Sequence, residues 1–83
     1  MVEIYKGQKI HIDIERSFIA MSSPFDLPIF ETKYEIYINN RKISKRVKEI
    51  ADEEEWNANI NFAERYLIVS KRLIDAKIYT RSD

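Results

Sequence analysis

The chain has no cysteine, one glycine, one histidine and two prolines. Without cysteine, neither a disulfide framework nor a Cys-based zinc site can staple it. A single glycine leaves no Gly-rich loop to cradle phosphates, and there is no Gly-x-Ser-x-Gly elbow to aim a nucleophile. His11 has none of the partners that a catalytic triad or a zinc site needs. No apolar run approaches the roughly 18 residues of a membrane span, and MVEIYKGQK lacks the basic-then-apolar order of a signal peptide. A cytoplasmic protein with no membrane partner, no cofactor and no bound metal is the expectation. An excess of one charge is missing too. The 14 Lys and Arg match the 14 Asp and Glu, whereas a chain built only to grip nucleic acid usually keeps a basic balance.

What is present is a β-prone hydrophobic set. Fourteen isoleucines stand against three leucines. That skew suits strands, and an A+T-rich genome produces the same bias through codon usage. At 83 residues the chain predicts one domain, residues 1–83. A domain this short buries only about 60% of its unfolded surface, so its core must come from the 45% hydrophobic content or from a partner subunit.

Period-two alternation predicts the sheet. Val2 and Ile4, then Ile10, Ile12 and Ile14, read as a hairpin over 2–5 and 9–20. A three-residue loop, Lys6 to Gln8, would set Ile4 against Ile10 and Val2 against Ile12 on one face. A two-residue Gly7-Gln8 loop would split the apolar sets, so the longer loop is expected. His11 falls on the polar face. The alternation stumbles at Arg16, which predicts a bulge or break near Glu15–Ser17. Residues 22–28, with both prolines, read as a loop that folds back onto the body. Phe30, Thr32, Tyr34, Ile36 and Ile38 define the cleanest strand, 29–38. Asn39-Asn40 suits a two-residue turn with positive φ, placing Ile43 opposite Ile36 on a short strand 41–43.

Two helices complete an α+β domain in ββββαα order, packed on one face of a three- to four-stranded antiparallel sheet. The first, 45–56, has Ser44 as its expected N-cap and Val47, Ile50 and Ala51 at helical spacing. The second, 61–77, starts on a capping-box-like pair, Asn61 and Glu64. Phe62, Tyr66, Val69, Leu73 and Ala76 follow in 4-3-4-3 steps, flanked by Ala63, Leu67 and Ile74. That arc is wider than a surface helix needs, so Leu67 and Ile74 are expected to support a homodimer. Tyr66–Ser70 and Lys77–Thr80 also favour β-structure.

The most distinctive feature is charge order. Five cations (Arg41, Lys42, Lys45, Arg46, Lys48) give way to five carboxylates (Glu49, Asp52, Glu53, Glu54, Glu55), and Trp56 closes the run. The helix dipole favours the opposite order, and each misplaced charge costs about 0.3–1 kcal/mol at low salt. Lys45–Glu49 and Lys48–Asp52 are helical neighbours worth only about 0.2–0.5 kcal/mol each. Folding alone therefore does not account for charges so fully sorted by sign. Trp56 suits either the core or an interface anchor.

One catalytic pattern exists. Asp13 with Glu31-Thr32-Lys33 resembles the PD-(D/E)xK nucleases, in which two carboxylates hold a metal ion and a lysine sits beside the attacking water. The resemblance covers three residues, and Ile12 stands where that pattern has proline. It implies a small metal-dependent nuclease. A dimeric nucleic-acid-binding regulator is a further alternative, with the basic run on phosphates and the adjacent carboxylates repelling them. The expectation that accounts for the sorted charge is a non-catalytic protein-binding module. Arg41, Lys42, Lys45, Arg46, Asp52, Glu53, Glu54, Glu55 and Trp56 would meet a protein or ribonucleoprotein complex of complementary charge. Small chains with no catalytic set are often encoded by viruses and mobile elements, as inhibitors of the anti-defence, anti-CRISPR-like kind.

Overall fold

Ile10, Ile12, Ile36 and Ile38 alternate with polar residues, and that period puts all four on one face of a sheet, each 0–1% exposed. The computed structural model describes residues 1–20 and 29–77. The strands are β1 (Val2–Tyr5), β2 (Gln8–Ala20), β3 (Ile29–Ile38) and β4 (Arg41–Lys42). They form one antiparallel sheet in the order β1-β2-β3-β4. The helices α1 (Ser44–Asp52) and α2 (Phe62–Asp75) follow, giving an α+β architecture in ββββαα order. Ile43, Val47 and Ala51 from the α1 segment, with Tyr66, Val69, Leu73 and Ile74 from α2, cover the four isoleucines. The loop expected over 22–28 and the β-prone residues 78–80 lie outside the described residues. Among those described, no helix is long and apolar enough to cross a membrane.

Local turn chemistry sets most of the register. Asn39 and Asn40 both take positive φ, and Ile38 pairs with Arg41. The Ile43 N–H then reaches the Ile36 carbonyl at 2.8 Å, as the Asn-Asn turn predicts.

The first hairpin differs from its sequence expectation. Its loop is two residues, Lys6-Gly7, both at positive φ, and Val2 pairs with His11 and Tyr5 with Gln8. The primed turn matches the strand twist, and the resulting register sends Glu3 and Tyr5 toward α2. There the Lys71 ammonium meets Glu3 at 2.7 Å, and the Tyr5 hydroxyl donates to the Asp75 carboxylate at 3.0 Å. Lys6 also pairs with Asp75 and holds that carboxyl below its ordinary range. Val2 and Ile4 consequently lie on the outer face of the sheet, exposed.

No break interrupts β2 at Glu15–Ser17. The strand runs 13 residues, and its one irregularity is a register shift between Phe18 and Ala20. Such length is stable because β3 pairs with it from Ile10↔Ile38 to Ala20↔Ile29. The β2–β3 ribbon outruns the helices. The radius of gyration of the chain, 15.1 Å, accordingly exceeds the ~12 Å of a compact domain this size. Ile14, Phe18 and Phe30 continue the core face along this arm, yet each is about half exposed.

The second helix uses most of its broad arc inside the chain, with Phe62 left about half exposed. Ile74 is 5% exposed and Leu67 packs against the core, which removes the leftover surface expected for self-association there. Ala76, expected on the apolar face, is exposed and caps the helix end. At the other end Asn61 accepts the Glu64 N–H at 2.9 Å and donates to the Glu64 carboxylate at 3.2 Å, as the Asn61–Glu64 spacing predicts.

Candidate functional site

The charge-sorted run lies along one edge of the domain, on β4, α1 and the turn after α1. Helix α1 spans nine residues, about 13 Å of axial rise. Cations therefore cluster at one end and carboxylates at the other. Val47 and Ala51 anchor the buried stripe, while Lys45, Glu49, Asp52, Glu53 and Glu55 are exposed and Arg46 is half-buried. The first turn of α1 contains no acid and the last turn no base. Its dipole is left uncompensated by its own side chains.

Ser44 is not the N-cap. Ile43 occupies that position; its side chain is fully buried in the core and has no acceptor with which to cap the helix. Ser44 begins the helix, and its hydroxyl turns to the sheet. It accepts the Ile36 N–H at 2.8 Å and donates to the Glu35 carboxylate. Beyond β4 this hydroxyl stands in for a fifth strand at Ile36. The Ser44 bond holds the Glu35 carboxyl below its ordinary range; burial opposes that, and Lys42, 3.6 Å away, and Lys48 add to it.

The helix ends at Asp52, short of the expected 56. The Trp56 indole N–H donates to the Ala51 carbonyl at 2.8 Å and closes the C-terminus. Its ring packs on the core, with the Arg72 guanidinium 5.7 Å from its centre. Arg72 also pairs with Glu54. Glu54 and Trp56, two of the nine expected contact residues, are thus taken up by Arg72 and by the end of α1. Arg41, Lys42, Lys45, Arg46, Asp52, Glu53 and Glu55 remain at the surface, although Lys42 shares Glu35 and Arg41, Lys45 and Arg46 have intramolecular interactions of their own.

Beside this edge opens a cleft of about 550 Å³, lined by Glu31–Glu35 of β3, Lys48 of α1, and Phe62 and Tyr66 of α2. Tyr34 and Tyr66 meet edge-to-face at 5.4 Å, and Phe62 lies 6.1 Å from both. Burial pushes the Tyr66 phenol up. This aromatic wall was not legible as a site, because Phe62 and Tyr66 read equally well as ordinary helix core.

The nuclease-like residues share the outer face but do not converge. Asp13 pairs with Glu35, whereas Glu31 lies opposite Ser17 and Lys33 opposite Glu15. Four residues of strand separate the level of Asp13 from that of Glu31, roughly 13 Å. One ion cannot bridge carboxylates that far apart. His11 sits near Asp13, with its ring 5.8 Å from Tyr37.

No protein-family model matches the chain, and neither a characterised protein nor a solved structure matches it.

Proposed function

We propose that this chain is a non-catalytic protein-binding module that docks on a larger protein or ribonucleoprotein complex through the bipolar edge of β4 and α1. A small inhibitor of the kind encoded by viruses and mobile elements is the biological role that suits such a module. The observation carrying the reading is α1 itself. Its charges run against its own dipole, its N-terminus has no side-chain cap, and its apolar stripe and the Ser44 hydroxyl hold it to the sheet. Cations at one end and carboxylates at the other select for a partner surface of the reverse order, and they accelerate encounter more than they deepen affinity. Phosphate backbones are a poorer fit, since Asp52, Glu53 and Glu55 would repel the polyanion that Arg41 and Lys45 attract. The module is further proposed to act as a homodimer.

The test is cross-linking capture from the native cell with three baits: the wild type, Asp52→Asn/Glu53→Gln/Glu55→Gln, and Arg41→Gln/Lys42→Gln/Lys45→Gln/Arg46→Gln. The reading expects a discrete set of proteins recovered by the wild type and lost by at least one folded variant. Equal recovery by all three baits contradicts it. Recovery of nucleic acid with a steep salt dependence would move the assignment to a regulator.

A further inference from the structure

Among the described residues, nothing pairs with the outer edge of β3 along the arm. Among the described residues, β4 covers only Tyr37 and Ile38 of that strand, and Ser44 covers Ile36. The phase of the edge follows from Ile36, whose N–H points to Ser44 and whose carbonyl points to Ile43. Backbone groups alternate along a strand, so Tyr34, Thr32 and Phe30 aim their N–H and C=O groups the same way, away from β2. Glu31, Lys33 and Glu35 direct theirs to β2. A straight open edge next to an exposed aromatic face is an aggregation hazard that folded proteins cover or blunt.

The side chains on this edge are self-complementary about Thr32: Phe30, Glu31, Thr32, Lys33, Tyr34. The order is aromatic, acid, threonine, base, aromatic. We infer that β3 pairs antiparallel with β3 of a second copy about a two-fold axis at Thr32, joining the two sheets into one of eight strands. In that register Thr32 faces its symmetry mate, Glu31 faces the second copy's Lys33, and Phe30 faces the second copy's Tyr34. All three pair types are favourable cross-strand combinations. Thr32, Phe30 and Tyr34 are also the residues whose backbone groups face outward, so the axis falls on a hydrogen-bonded pair and six N–H···O=C bonds form.

Chemistry on both faces agrees. The charged pairs lie on the outer face, where Glu31 and Lys33 are exposed. The aromatic pairs lie on the core face, where each Phe30 enters the cleft beside Tyr34 and Phe62. Phe30 and Phe62, 46% and 49% exposed in the single chain, are thereby covered. The contact is short because β4 and α1 block the edge from Ile36 onward. So small a contact belongs to the weak, transient class of interface. This inference rests on the proposed homodimer and replaces the surface of α2 with the edge of β3.

Sedimentation or light scattering over a concentration series tests it with the wild type and three variants. Thr32→Pro removes one N–H that faces away from β2 and no bond to β2. Glu31→Lys opposes two like charges across the axis, while in its own sheet it faces only Ser17. Glu31→Lys/Lys33→Glu restores opposite charge across the axis. The wild type should dimerise. The two single variants should dissociate about tenfold or more readily, with circular dichroism and melting confirming folded monomers, and the double variant should recover toward wild type. A dimer indifferent to all three discards the strand edge but keeps dimerisation. A strictly monomeric wild type at high micromolar concentration discards both. A monomeric wild type that captures its cellular partner only when Thr32 is intact would show that a foreign strand occupies the edge, and would overturn the second copy as occupant. Loss of capture confined to the α1 variants leaves the charge-edge reading separate from all of these outcomes.

Discussion

Ser44 shows how much one hydroxyl can decide. It gives the buried Ile36 N–H its acceptor and gives Glu35 a donor. Ser44→Ala leaves that N–H unsatisfied at the sheet edge, and the expected loss is about 1–3 kcal/mol in denaturant unfolding at neutral pH. A pH dependence accompanies it. The Glu35 carboxyl is lowered in the fold, chiefly by Ser44. Its contribution is present above the ordinary glutamate range and disappears as pH falls through the lowered folded value. Unfolding curves from neutral pH to about pH 3 should therefore show less acid destabilisation in Ser44→Ala than in the wild type. An equal acid loss in both would show that Glu35 gains nothing from the hydroxyl. Trp56 makes a parallel point. As a lone tryptophan beside acids it reads as either core or anchor; its indole in fact seals α1 at the Ala51 carbonyl.

The two helices begin differently, and their capping should separate them in experiment. Asn61 caps α2 through its side chain, so Asn61→Ala should cost about 1 kcal/mol, read as a lower denaturation midpoint with unchanged slope. No single side chain plays that part for α1. The elements legible in the sequence are those set by neighbours. The Asn39-Asn40 turn fixes the β3–β4 register, the Asn61–Glu64 pair starts α2, and the isoleucine alternation names the core face. The elements that were misread depend on contacts distant in the chain. The Lys6-Gly7 turn places Val2 and Ile4 outside because Lys71 and Asp75 of α2 receive Glu3 and Tyr5, a choice invisible from residues 1–14. The continuity of β2 depends on β3, and the end of α1 depends on a tryptophan that folds back on it. For the candidate site, the charge order was plain in sequence, but the engagement of Glu54 by Arg72 and the open edge of β3 required the fold.

At the scale of the molecule, the helices and isoleucines form a small closed body, and two features extend beyond it. One is the ribbon arm with its open strand edge; the other is the bipolar edge of β4 and α1. The central claim is that the bipolar charges serve a partner and oppose the fold. Thermal unfolding of Asp52→Asn/Glu53→Gln/Glu55→Gln at low salt tests this without the partner in hand. Glu54 is left in place because Arg72 holds it. Removing anions from the C-terminal end of α1 relieves about 0.3–1 kcal/mol per charge near the dipole. In a domain of this size each kcal/mol moves the midpoint by about 4–8 °C. The account predicts a melting temperature equal to or above that of the wild type. A fall of about 4 °C or more would show that these carboxylates hold the fold together, and would contradict it.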